Sequence, residues 1–274
     1  MRLKHPVMNS AGPWSTSRQQ LHDIADSDSA AVVTKSFSTV PWPGNPAPNL
    51  YQGEHYAINS LGLKNRGANY FIEAVARLGT AKPKIANIVG REPSEYIELV
   101  RRLNDSVFDA VELNLSCPNI VTKEAMGYAP AAVQELLPKI MRLSKLPIGV
   151  KLPPYTSRAQ LRTMAELLRA QRVNHVVLIN TFPLATALDR AGQPTIVPND
   201  GVGGVSGAAL KPIALAHVML FRQFSNGDVP MVGVGGIQKR ADVEDYLAAG
   251  AAAVQVGTAI LQQGLGVFTA LRRQ

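Results

Sequence analysis

Phe108-Asp109-Ala110-Val111-Glu112-Leu113-Asn114-Leu115-Ser116-Cys117-Pro118-Asn119 is a largely apolar, strand-like run that stops on polar and reactive groups. Pro118 ends the strand and fixes the turn beyond it, and two amides, Asn114 and Asn119, flank the chain's single cysteine. One cysteine makes neither an intramolecular disulfide nor a thiolate metal cage. A free cysteine is most often a small buried hydrophobe. A thiol between two amides at a strand-to-loop junction is instead where an α/β enzyme places chemistry, which makes Cys117 a candidate nucleophile or base.

The same alternation of short apolar runs and amphipathic segments extends in both directions along the chain. It predicts strands over Val7–Ala11, Ala31–Lys35, Lys84–Ile88, Ala110–Asn114, Ile148–Lys151, His175–Ile179, Met231–Val234 and Ala253–Val256. Helices are signalled between them by Ser17 as an N-cap before Arg18–Ala25, by Pro93 in the first turn of the segment ending at Leu103, and by Ser157 before Arg158–Ala170. Eight strand-helix units predict one (β/α)8 TIM barrel of the α/β class, a single domain over residues 1–274. With 46% hydrophobic residues the chain can fill one sizeable core. The cluster Val40-Pro41-Trp42-Pro43-Gly44-Asn45-Pro46-Ala47-Pro48 reads as a rigid ordered loop, not a linker.

No apolar run reaches the length of a membrane span and the start has no signal-peptide core, so a soluble, cytoplasmic protein is expected. A formal charge of +8 would suit a polyanion, but the basic residues are dispersed and no nucleic-acid or membrane partner is expected. The five histidines lack metal-ligand spacing, and no metal is expected.

In a barrel of this kind the chemistry comes from the C-terminal strand ends. Lys35, Asn114, Lys151 and the pair Asn180-Thr181 stand at four of these ends. An ammonium presented from a buried strand is costly without an anion or acceptor to meet it. Gly233-Val234-Gly235-Gly236 and Gly257-Thr258, after the last two strands, suit a phosphate site, because glycine lets backbone N–H groups approach the oxygens. Gly201-Val202-Gly203-Gly204-Val205-Ser206-Gly207 reads as a flexible loop that covers one end of a ligand, and Ala57–Leu63 as a loop carrying Asn59.

At these residues the chain resembles class 1 dihydroorotate dehydrogenases, which are FMN-dependent (β/α)8 barrels of pyrimidine biosynthesis. The resemblance runs from about Pro6 to about Gln263 through Met8–Gly12, Thr34–Ser36, Gly44–Pro48, Ile58–Leu63, Asn114–Asn119, Gly149–Leu152, Ile179–Thr181, Gly203–Gly207 and Val256–Ala259, in that order. It implies oxidation of dihydroorotate to orotate. Cys117 would be the base at C5 and FMN N5 the hydride acceptor from C6, with Lys35 and Lys151 assisting. Asn59, Ser60, Leu61, Gly62, Leu63, Asn114, Asn119, Asn180 and Thr181, with Lys35, would hold the substrate. FMN would be held by Ala11, Gly12, Lys35, Ser36, Asn114, Lys151, Ile179, Gly207, Gly235, Gly236, Gly257 and Thr258.

The resemblance also implies a homodimer. Leu152-Pro153-Pro154-Tyr155 resembles the fumarate-using subclass. Ile179-Asn180-Thr181 and Gly203–Gly207 resemble the subclass that passes electrons to a partner subunit with FAD and an iron–sulfur cluster, then to NAD, and the balance leans to the second. Counterparts of the relatives' N-terminal hairpin and long C-terminal helical tail are expected to be missing or short. Arg66 stands where relatives have leucine or proline, and the run after Asn119 follows neither subclass, so both are expected to shape the substrate pocket. Three other readings remain: a related FMN barrel acting on another dihydropyrimidine or, like a dihydrouridine synthase, on tRNA uridine; a flavin- or phosphate-binding barrel without catalysis; and a cofactor-free phosphosugar isomerase.

Overall fold

The computed structural model describes residues 2–116 and 125–272. The twelve strands among them are β1 (Val7–Asn9), β2 (Val32–Val33), β3 (Leu50–Gln52), β4 (Ala57–Asn59), β5 (Lys84–Ile88), β6 (Ala110–Asn114), β7 (Ile148–Lys151), β8 (His175–Leu178), β9 (Phe182–Ala185), β10 (Gly203–Ser206), β11 (Met231–Val234) and β12 (Ala253–Val256). Eight are parallel neighbours in the order β1-β12-β11-β8-β7-β6-β5-β2, with helices outside, and form a nearly closed α/β barrel. The predicted strands recur with small differences: β1 stops at Asn9, β2 spans only Val32–Val33, and β8 ends at Leu178.

Side-chain alternation separates two apolar layers. One set, including Met8, Val33, Ile85, Ala110, Val177, Val232 and Ala253, fills the barrel interior. The other, including Val32, Val111, Val150, Val176 and Val254, packs against the helices. Helix starts follow the local signals. The Ser17 and Ser157 hydroxyls accept from the backbone N–H groups of Gln20 and Gln160, capping Arg18–Asp26 and Arg158–Ala170, and Pro93 opens Pro93–Leu103.

Between β1 and β2 the described residues form no strand ladder, and side chains close the seam. Asn9 Nδ2 donates to the Val33 carbonyl at 2.7 Å, and the Val33 N–H donates to Asn9 Oδ1 at 2.9 Å. The Ser29 hydroxyl accepts from the Asn9 N–H and donates to the Ala31 carbonyl, while the Ala30 N–H donates to the Val7 carbonyl. Asn9 thus supplies both halves of a missing backbone pair. Asn9→Ala would strand the buried Val33 groups, so a loss of about 3 kcal/mol is expected in urea unfolding. An unchanged midpoint and slope would refute the role of the amide.

The second sheet was not expected from the sequence. β3, β4, β10 and β9 form an antiparallel sheet in that order, with Gly204 opposite Asn59 and Val205 opposite Ile58. The segments read as loops, Ala57–Leu63 and Gly201–Gly207, therefore contain strands. Close approach explains the glycines of β10: a Cβ on Gly203 would lie 2.5 Å from the Asn59 carbonyl oxygen, and one on Gly204 2.3 Å from Thr181 Oγ1. No helix among the described residues is long and apolar enough to cross a membrane.

Candidate active site

The strand ends open into a cavity of about 1010 Å3, lined by barrel ends and by the antiparallel sheet. Its wall includes Ser10, Ala11 and Gly12 after β1, Lys35 and Ser36 after β2, Asn114 and Ser116 from β6, Lys151 from β7, and Ile179, Asn180 and Thr181 after β8. Gly235 and Gly236 after β11, and Gly257 with Thr258 after β12, line another part. Asn59 and the turn Ser60-Leu61-Gly62-Leu63 come from the sheet side, with Gly207 after β10. Every described residue to which the resemblance assigns catalysis, substrate or flavin therefore lines one cavity. Cys117 and Asn119 lie outside the described residues. Ser116, which is peptide-bonded to Cys117, and Ala125 both line the cavity.

The charge of the wall is one-sided. Among its described residues Lys35 and Lys151 are the only lysines or arginines, and none is an aspartate or glutamate. Neither ammonium has a hydrogen-bond or ion-pair partner among the described residues. Burial, with the like charge of Lys151 as a smaller contribution, lowers Lys35 to about 8. Burial also lowers Lys151, against a smaller upward pull from the Glu112 carboxylate. Two cations held in this way are poised for an anion.

Neutral groups are fixed by local bonds. Asn114 Nδ2 donates to Ser36 Oγ at 3.1 Å, and Asn114 Oδ1 accepts from the Ser116 N–H, orienting the amide at the end of β6. Asn180 Oδ1 accepts from the Thr181 N–H at 2.9 Å. Asn59 Nδ2 donates to the Gly204 carbonyl across the sheet. The returning segment after the undescribed stretch is tied down by the Tyr128 and Tyr155 hydroxyls, which donate to the Pro154 and Gly127 carbonyls. Tyr155 is itself held by its N–H to His217 Nε2 at 2.8 Å.

The glycines form a cradle. Gly207 and Gly236 have φ of +88° and +70°, in the left-handed region that favours glycine. A Cβ on Gly236 would lie 2.6 Å from Lys211 Cβ and 2.9 Å from the Gly207 carbonyl oxygen, and one on Gly257 2.6 Å from Ser10 Oγ. Gly233 does not belong to this cradle: it sits inside β11, where a Cβ would strike the Tyr246 ring at 2.3 Å.

Two expectations change. Arg66 does not line the cavity; it is exposed, with its guanidinium 5.0 Å from the centre of the Tyr70 ring. The barrel floor also holds groups that the sequence reading passed over. Gln255 lines the cavity and is fully buried, with Oε1 lacking a partner. Its place at an inward position of an otherwise apolar strand was a usable signal. Asn199 reaches the cavity from a turn in which it and Asp200 both have positive φ, and its amide donates to Ser60 Oγ at 2.9 Å.

The family model described as dihydroorotate dehydrogenase matches residues 1–274. The chain belongs to the dihydroorotate dehydrogenase family. Among relatives, dihydroorotate dehydrogenase (fumarate) of Lachancea kluyveri is 33% identical over 277 residues, covering 99% of this chain and 88% of that protein. The enzyme of the same name from Saccharomyces cerevisiae is 32% identical with the same coverage. Dihydroorotate dehydrogenase A (fumarate) of Lactococcus lactis subsp. lactis is 33% identical, over 96% of this chain and 87% of its own length. The family match thus spans the barrel, the antiparallel sheet and the cavity between them.

Proposed function

We propose that this chain oxidises dihydroorotate to orotate with FMN, as one FMN-binding barrel over residues 1–274. The observation that carries this reading is the cavity wall, where, among the described residues, Lys35 and Lys151 have no hydrogen-bond or ion-pair partner and stand with several fixed amides in a lining that holds no aspartate or glutamate. A carboxylate-bearing dihydropyrimidine and an anionic flavin phosphate suit that wall; a cationic ligand does not. The residues also fit a flavin. The cradle at Gly207, Gly236 and Gly257 lacks room for any Cβ, and the buried Gln255 Oε1 is an acceptor that calls for a donor.

In this reading Ala11, Gly12, Ser36, Ile179, Gly207, Gly235, Gly236, Gly257 and Thr258 hold FMN, whose chemistry is to accept the hydride from C6 of the substrate. Cys117 removes the proton from C5. Asn59, Asn114, Asn119, Asn180 and Thr181, with the Ser60–Leu63 turn, hold the ring and its carboxylate, and Lys35 neutralises charge beside both ligands. Lys151 offsets the negative charge that a reduced flavin ring carries.

For the electron acceptor we infer fumarate. The relatives from Lachancea, Saccharomyces and Lactococcus bear that acceptor in their names. Leu152-Pro153-Pro154-Tyr155 favours the same route, and Pro153 and Pro154 line the cavity. This replaces the leaning toward a partner subunit drawn from Ile179–Thr181 and Gly203–Gly207. The test is anaerobic: dihydroorotate should bleach the flavin band of the purified protein, and fumarate should restore it without NAD or a second protein. Bleaching that only NAD and a partner subunit reverse would overturn the acceptor, and no bleaching would overturn the activity.

A further inference from the structure

Beneath the cavity floor lies a carboxylate that nothing in the proposed reaction uses. Glu112 is fully buried at an inward position of β6, where Ala110 and Asn114 point the same way. Three side chains from three other strands converge on it. Asn87 Nδ2 of β5 donates to Oε2 at 3.0 Å, Gln255 Nε2 of β12 donates to Oε1 at 2.7 Å, and His175 Nε2 of β8 lies 3.4 Å from Oε1. Room for the His175 ring exists only because residue 149 is glycine, where a Cβ would lie 2.1 Å from His175 Nε2.

Such a group is not explained by stability. A buried, hydrogen-bonded charge is commonly no more stabilising than apolar residues of the same volume, and interior positions elsewhere in the same strands, Ile85, Ala110, Val177 and Ala253, are apolar. Burial pushes the carboxyl up, but the contacts with His175 and Asn87 and the nearby Lys151 outweigh it and hold the group below the usual carboxylate range. Its neighbours explain it better. In the β6–β7 register Glu112 is opposite Gly149, and Lys151 follows two residues on, one layer nearer the cavity. The titratable groups around Lys151 among the described residues are Glu112, Lys35 across the barrel mouth, and His175 below Gly149. Glu112 is the anion of this set, and Gln255 spans from it to the cavity floor.

We propose that Glu112 is a positioning residue whose buried charge keeps the Lys151 ammonium charged at the cavity floor. The proposal rests on Lys151 facing a flavin. Without Glu112, Lys151 would keep its burial and the like charge of Lys35 and lose the one compensating charge among the described residues, so it would give up its proton at lower pH.

The experiment uses flavin-loaded protein and sulfite, a nucleophile whose addition to oxidised flavin leaves negative charge on the ring. Sulfite affinity should fall at alkaline pH as Lys151 deprotonates. In Glu112→Gln that fall should move down by about one pH unit, giving roughly tenfold weaker affinity on the limb. Glu112→Asp should restore most of the wild-type profile, and in a Lys151→Met background Glu112→Gln should add no further shift. A flavin-loaded Glu112→Gln with the wild-type limb overturns the proposal and leaves the activity untouched; wild-type protein that binds no flavin overturns the activity instead. If Glu112→Gln does not fold, infrared spectra of the wild type decide. At neutral pH no protonated-carboxyl C=O stretch is expected, and finding one that belongs to a buried carboxyl overturns the proposal.

Discussion

Cys117→Ser is expected to slow flavin reduction by dihydroorotate by about two to four orders of magnitude, the usual contribution of a placed general base, while the purified protein stays yellow. A serine hydroxyl is a far weaker acid than a thiol, whose ordinary pKa of about 8.5 lets part of it ionise near neutrality. The rate in the wild type should therefore rise toward alkaline pH, and in the variant that rise should leave the working range. The residues on each side of the 117–124 segment, Ser116 and Ala125, both line the cavity that holds Lys35, Asn114 and Lys151. Stopped-flow anaerobic reduction separates the proton-transfer step from flavin loss, because the absorbance before mixing reports the bound flavin. An unchanged reduction rate would remove Cys117 from the chemistry.

Gly236→Val should give a colourless protein. The backbone there has φ +70°, which a β-branched residue adopts only under strain. Its Cβ would also meet Lys211 Cβ at 2.6 Å and the Gly207 carbonyl oxygen at 2.9 Å. The second contact is with main chain, so no side-chain rotation relieves it, and the cradle must open. An affinity loss for FMN on the order of 100-fold corresponds to about 2.7 kcal/mol, within the cost of overpacking a tight site. Fluorescence titration with FMN measures it, and circular dichroism should show the barrel intact. Retained colour with wild-type affinity would move the phosphate site elsewhere.

The barrel was legible because its strands carry their own signal. β5, β6, β7, β11 and β12 are short apolar runs with clear stops, and their bounds agree with the sequence reading to the residue. The antiparallel sheet has no such signal. Leu50–Gln52 is only partly buried, and Gly203–Ser206 has a loop-like composition; its identity as a strand comes from pairing with Ala57–Asn59, far away in sequence. The cavity residues were legible as polar groups at apolar strand ends. Glu112, Asn87 and Gln255 were overlooked because they lie within the strands, yet a polar residue at an inward position is the pattern that marks them. Arg66 misled for the opposite reason: the turn Ser60–Leu63 that precedes it lines the cavity, while its own side chain lies over Tyr70 outside it.

The lowered proton affinity of Lys35 makes ligand capture a protonation event. With no anion beside it this lysine is pushed down to about 8 by burial and by Lys151. An anion placed beside it raises that value again. Between the two values, each binding event draws a fraction of a proton from solution, so the heat of orotate binding should vary with the ionisation enthalpy of the buffer. The same linkage weakens the affinity as pH climbs past 8, and the cavity thereby releases an anionic product more readily in the alkaline range where a thiol base works fastest.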